Sequence, residues 1–156
     1  MKHFLILVVL SLFSSAVVAS GTHSHSHDDM MYSVGKPGKG VPNRVIEVSM
    51  QDSMRFEFSP ELDSLKDGET IEFRVRNDGK VQHEFSIGNS DDQVKHAIMM
   101  QKMPDMVHND PNTVSLKPGE SASLSWTFMG KDTVVFACNV PGHFEAGMKH
   151  SLAIGH

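Results

Sequence analysis

The chain's only cysteine opens the run Cys138-Asn139-Val140-Pro141-Gly142-His143-Phe144-Glu145-Ala146-Gly147-Met148. A thiolate, an imidazole and a thioether follow one another as Cys-x4-His-x4-Met within one short Pro/Gly loop. Thiolate and thioether are soft donors that suit Cu(I), and imidazole suits Cu(II). With one more histidine from upstream, these residues make the donor set of a mononuclear electron-transfer copper site. Two imidazoles and a thiolate in a trigonal arrangement, with a weak axial thioether, hold both oxidation states with little rearrangement.

The upstream histidine must come from an element that reaches the loop. Gln82–Gly88 reads as a strand with His83, Phe85 and Ile87 on its inward face. Such a histidine, taken alone, is more often a hydrogen-bonded core residue; the ordered loop downstream turns the reading toward a ligand. Pro141-Gly142 turns the chain between thiolate and imidazole, and Gly147 is expected to let the backbone crowd the metal just before Met148.

The other elements are also short strands. Arg44–Met50, Met54–Phe58, Thr70–Arg76, Ser121–Phe128, Thr133–Cys138 and Lys149–Ile154 carry strand-forming residues, most in alternation. Lys66-Asp67-Gly68, Asn77-Asp78-Gly79-Lys80 and Lys117-Pro118-Gly119-Glu120 supply turns. The expectation is an all-β fold, an antiparallel Greek-key β-sandwich. One insertion breaks the pattern. Ser90 is expected to cap a helix, with Gln93 completing a capping box and Asp91 and Asp92 in the first turn. The helix should run to Lys102 and stop before Pro104.

His83-Glu84-Phe85 on a strand, Cys138-Asn139-Val140-Pro141-Gly142-His143, and Gly147-Met148 together resemble the cupredoxin family of blue-copper proteins over residues 44–156. The loop spacing is similar to that of rusticyanin-type members. The leader, the Met-rich insertion and the histidines resemble the periplasmic copper-tolerance cupredoxins. The resemblance implies His83, Cys138 and His143 as equatorial copper ligands and Met148 as the axial one. It also implies a buried Cys138 and a His143 nearer the surface, ringed by Val140, Pro141, Phe144 and Ala146 as a docking rim. One residue departs from the family. Azurin-like members carry Asn after the first histidine, where it ties the ligand loops together; here Glu84 stands in that place.

Further soft donors remain. The chain has eleven methionines. His96, Met99, Met100 and Met103 fall on one helical face, with Met106 and His108 just beyond. They either pack the helix onto the sandwich, as methionine does well, or contribute to a second Cu(I) site. His23, His25 and His27 with Met30 and Met31 are a metal-seeking leader or a solvated spacer. His150 and His156 read as surface residues.

Composition limits the functions. Lys2 and His3, the apolar run Phe4–Phe13 and Val17-Val18-Ala19 read as a signal peptide over residues 1–19. That run falls short of the about 20 apolar residues that span a bilayer. Residues 20–43 read as a flexible leader, and 44–156 as the folded domain. The expected location is the periplasm. An exported lone thiol needs an occupant, and a metal supplies one. The net charge of −5 argues against nucleic acid or anionic lipid as partner. The expected partners are copper and a redox or copper-transfer protein, with the chain a monomer. Cys138 lies between Ala137 and Asn139, so the His-Cys-His run that links such a site to a trinuclear oxidase cluster is absent, and no enzyme activity is expected. The two readings carried forward are a copper-tolerance protein that binds copper and cycles it between Cu(I) and Cu(II), and a soluble electron carrier between respiratory proteins.

Overall fold

A computed structural model describes residues 32–103 and 110–155. The signal peptide, His23, His25, His27, Met30, Met31, Met106, His108 and His156 lie outside the described residues. Among the described residues ten strands and one helix follow in order: β1 Gly35–Pro37, β2 Arg44–Gln51, β3 Arg55–Ser59, β4 Leu65–Lys66, β5 Thr70–Asn77, β6 His83–Gly88, α1 Ser90–Lys102, β7 Thr113–Leu116, β8 Ser121–Phe128, β9 Thr133–Ala137 and β10 Lys149–Gly155.

The strands form two sheets, β1-β8-β5-β2-β3 and β4-β10-β9-β6-β7, and the chain crosses between them from β3 to β4, β4 to β5, β5 to β6, β7 to β8 and β8 to β9. This is the expected sandwich, with one correction. β2 pairs with β5 in parallel, as does β10 with β4, so the sheets are mixed. Alternation within a strand sets which face is buried but not which neighbour it pairs with, so these pairings had no local signature.

A second correction concerns the leader. Gly35–Pro37 is a strand on the edge of the first sheet, paired with Trp126–Phe128, and Val34 is fully buried. The Trp126 indole N–H points at the Val34 carbonyl, 3.4 Å away, and Tyr32 packs edge-on against the same ring. Three residues that pair on one side only carry no period. Met54, read as part of a strand, instead holds a left-handed turn conformation (φ 58°) between β2 and β3.

Between the sheets, Phe73, Phe85, Phe128 and Phe136 form a fully buried aromatic cluster, with Phe85 stacked on Phe136 at 5.5 Å. Each such ring contributes about 1.5–3 kcal/mol by burial. The cluster matters for the site because Phe85 lies two residues beyond His83 on β6, and Phe136 lies two before Cys138 at the end of β9. The pairing of Ile87 with Phe136 and Ser86 with Ala137 sets these two strands in register.

Helix α1 spans the predicted residues, but Asn89 is its cap, not Ser90. The Asn89 side chain accepts from the Asp92 N–H, and the Asp92 carboxylate accepts from the Asn89 N–H. Gln93, assigned to that box from its spacing, is instead buried. Its side-chain amide donates to the carbonyls of Ser86 and Val135, laying α1 across β6 and β9. Met100 is fully buried beneath the helix, Met99 half-buried, and Met103 exposed.

Candidate metal centre

His83 begins β6 and is fully buried. Its Nε2 lies 3.1 Å from Asp52 Oδ1, in the turn between β2 and β3. The Lys80 N–H donates to both Asp52 oxygens, at 3.0 and 2.9 Å. That hydrogen bond, ahead of those from His83 and Val81, holds the Asp52 carboxyl below the usual range although desolvation opposes it. An ionised carboxylate at Nε2 keeps the ring proton there and leaves Nδ1 as a bare lone pair. Gly79 makes room for this contact: a Cβ at that position would run into both Asp52 Oδ1 and His83 Nε2. Asp52→Ala and Gly79→Ala should therefore both weaken copper binding, by about 10- to 100-fold, the usual effect of losing such an outer partner. A competition titration against a copper chelator measures this, and unchanged affinity in both variants would refute the tautomer assignment.

Cys138 follows β9 and is fully buried. Its Sγ accepts the Glu84 N–H at 3.3 Å. Burial pushes the Cys138 thiol up to about 12, against the lowering effect of the Glu84 and Val140 N–H donors. The chain then turns so that His143 is only half-buried. The His143 N–H donates to Val140 O at 2.9 Å, the Met148 N–H to His143 O at 3.0 Å, and the Cys138 N–H to Met148 O at 3.0 Å. These three bonds close the loop on itself and bring Met148, also fully buried, back beside Cys138. Gly147 has a different role from the one expected. Added atoms at its Cβ position would meet nothing, but its φ of +99° lies in the region that favours glycine.

The donors converge. His83 Nδ1 lies 3.2 Å from His143 Nδ1, and His143 Nδ1 lies 3.4 Å from Cys138 Sγ. The three donor atoms all lie within 4.8 Å of one another. Nitrogen and sulfur donors bonded at about 2.0–2.3 Å to one ion sit roughly 3–4 Å apart, so the arrangement fits a metal. Burial, with the neighbouring His83 acting in the same direction, lowers the His143 pKa, which keeps its imidazole neutral and available at neutral pH.

The thiol is the group that must give up a proton on metal uptake. Apparent copper affinity should therefore rise with pH, about tenfold per unit for one proton displaced, up to the raised range of Cys138. Affinities measured at several pH values from neutral to mildly alkaline test this, and a flat profile would count against thiolate ligation.

Of the residues singled out from sequence, the donor atoms of His83, Cys138 and His143 come together, and the Met148 backbone lies beside Cys138. Of the residues expected around His143, Val140 and Phe144 are half-buried, with Lys149 Nζ 4.5 Å over the Phe144 ring, and Pro141 and Ala146 are exposed. Among the described residues no second group of three or more His, Cys, Asp or Glu donors is close enough to hold a metal. His96 and Met99 instead line a cavity of about 290 Å³ with Asp92, Gln93 and Asp110. His150 is not a bare surface residue: it is half-buried, with Nε2 3.2 Å from Leu62 O and its ring against Phe58. Sequence reasoning missed Asp52. The only local hint was Asp-Ser before a residue forced into a left-handed turn.

No family model matches the chain. It is 35% identical to the copper-resistant cuproprotein CopI of Vibrio cholerae, over 98% of both chains. It is 38% identical to that of Rubrivivax gelatinosus, over 96% of this chain and 94% of the relative. Among solved structures, auracyanin B superposes with a TM-score of 0.61 at 23% identity, covering 81% of this chain and 97% of auracyanin B, a likeness in fold.

Proposed function

The chain belongs to the CopI family of copper-resistant cuproproteins, and from that premise we propose that it binds one copper ion through His83, Cys138, His143 and Met148 and so contributes to copper tolerance. The single observation that carries the reading is the convergence of two imidazole nitrogens and one thiol sulfur within 4.8 Å. Copper bound there supplies one-electron redox chemistry between Cu(I) and Cu(II). The protein's part is to hold the donors. Asp52 fixes the tautomer of His83, the Glu84 and Val140 N–H groups stabilise the thiolate charge, and the aromatic cluster keeps water from Cys138. Met148 would supply the thioether donor in this assignment. His143, the half-buried donor, is the point where an electron or an ion enters and leaves.

The working location is the periplasm, reached by cleavage after residue 19. The protein is read as a binding and redox protein rather than an oxidase, since Ala137 and Asn139 flank the cysteine. No helix among the described residues is long and apolar enough to cross a membrane. The electron-carrier alternative draws on the rim of Val140, Pro141, Phe144 and Ala146 around His143, a surface fit for a redox partner.

Deleting the protein from its host should make growth copper-sensitive. The intact chain should restore tolerance and Cys138→Ala should not. Growth at high copper that is indifferent to both changes, with rapid electron exchange with a cytochrome, would favour the carrier.

A further inference from the structure

We infer that Glu84 is a positioning residue that makes helix α1 part of the frame of the copper centre. The inference rests on the copper reading above. Glu84 follows His83, so its side chain leaves β6 on the opposite face, beneath α1, and it is fully buried. Its backbone N–H reaches Cys138 Sγ. Its carboxylate gathers groups from three other elements. Oε2 accepts from Ser115 Oγ of β7 at 3.2 Å, Oε1 accepts from Asn139 Nδ2 of the ligand loop at 3.4 Å, and His96 Nε2 of α1 lies 2.9 Å from Oε1.

Asn139, the residue after Cys138, also donates to Gln93 Oε1 of α1 at 2.7 Å. Gln93 in turn is tied to the carbonyls of Ser86 and Val135. One network thus joins the strand bearing His83, the loop bearing Cys138, and two side chains of the inserted helix, the buried Gln93 and the half-buried His96.

The physical chemistry makes this more than packing. A carboxylate out of water is tolerated only when polar groups surround it. Each partner is therefore held to the carboxylate, and the carboxylate to each partner. Since Glu84 and Asn139 each adjoin a proposed ligand, displacing either moves His83 Nδ1 relative to Cys138 Sγ. Outer groups of this kind tune the potential and spectrum of a metal. The place that Asn takes in azurin-like proteins is filled here by a longer, charged side chain whose reach extends to the helix.

The test compares the full chain with Glu84→Gln, Glu84→Ala and His96→Ala. Two kinds of readout are used: the visible and paramagnetic spectra with the reduction potential of the copper(II)-loaded proteins, and amide hydrogen exchange of the metal-free proteins. Glu84→Ala should change the intensity ratio of the thiolate-to-copper bands. Glu84→Gln keeps one oxygen to accept from Asn139 and turns an amide N–H toward the Ser115 hydroxyl, which can accept it. It should keep the band ratio nearer to that of the original chain and raise the potential, because a negative charge that favours Cu(II) is gone. His96→Ala, on the far element, should shift the same bands and speed exchange over residues 139–147 before any metal is added. Identical spectra, potentials and exchange in all three variants, with only a lower melting temperature, would overturn the inference and leave Glu84 an ordinary buried residue. If Glu84→Ala does not fold, the other two decide. If the original chain takes up no thiolate-bound copper, the copper reading fails, and faster loop exchange in metal-free His96→Ala would still report the network.

Discussion

Cys138→Ser, loaded with copper(II), should lose the intense visible absorption of the original protein altogether. That absorption requires a thiolate bound to Cu(II), and the chain has one cysteine to provide it. The substitution is nearly isosteric, so the buried position after β9 is kept and the fold should survive. What disappears is a soft, anionic donor. Its replacement is a hydroxyl that holds its proton far more tightly, beside two imidazoles that alone make a weaker site. Copper retained by the variant should fall well below one ion per chain after dialysis against a chelator, while the unsubstituted protein should keep one. Copper content by elemental analysis, read together with the spectrum, measures both quantities. A variant that kept the colour would place the chromophore elsewhere. A variant that lost colour but held copper as tightly would show that Cys138 is not the principal donor.

Phe136→Ala should cost about 3–5 kcal/mol of folding stability, the range for truncating a fully buried aromatic ring. Phe136 stacks on Phe85 and meets Phe73, Phe128 and Phe58 edge-on or tilted, so few neighbours can move in to fill the space. For a domain of this size such a loss lowers the melting temperature on the order of 10 °C or more. Denaturant unfolding of the metal-free protein measures it without the added stability of a bound ion. The cavity would open two residues from Cys138, between the strands that carry His83 and the thiol. Copper binding should weaken along with the fold. A loss under about 1 kcal/mol would mean that the cluster relaxes around the gap, against the close packing expected of a protein interior.

The contrast between these positions shows what was readable and what was not. The spacing from Cys138 to Met148 was legible because all three residues lie in one loop, where hydrogen bonds between residues 138 and 148 close the ring locally. His83 was legible as a face partner of Phe85 and Ile87. The opposite face of β6 was not. Glu84 and Ser86 alternate with the inward-facing residues and carry no local sign of burial, yet α1 and β7 bury both. Alternation reports polarity, and a polar face under a helix has the same pattern as one under water. Gln93 illustrates the same limit: its spacing from Ser90 suggested a cap, and its carboxamide was taken by two strand carbonyls instead.

Read alone, the 156 residues determined the donor chemistry, the β-strand periods and the position of the inserted helix, because each depends on neighbours within a few residues of one another. Only the tertiary structure decided that β2 runs parallel to β5, that Gly35–Pro37 joins the sheet, that Asp52 orients His83 from thirty-one residues away, and that α1 reaches the thiol through Glu84. Those contacts join groups that burial forces to find partners, and which partner each finds is settled by packing across the whole domain rather than by any local run.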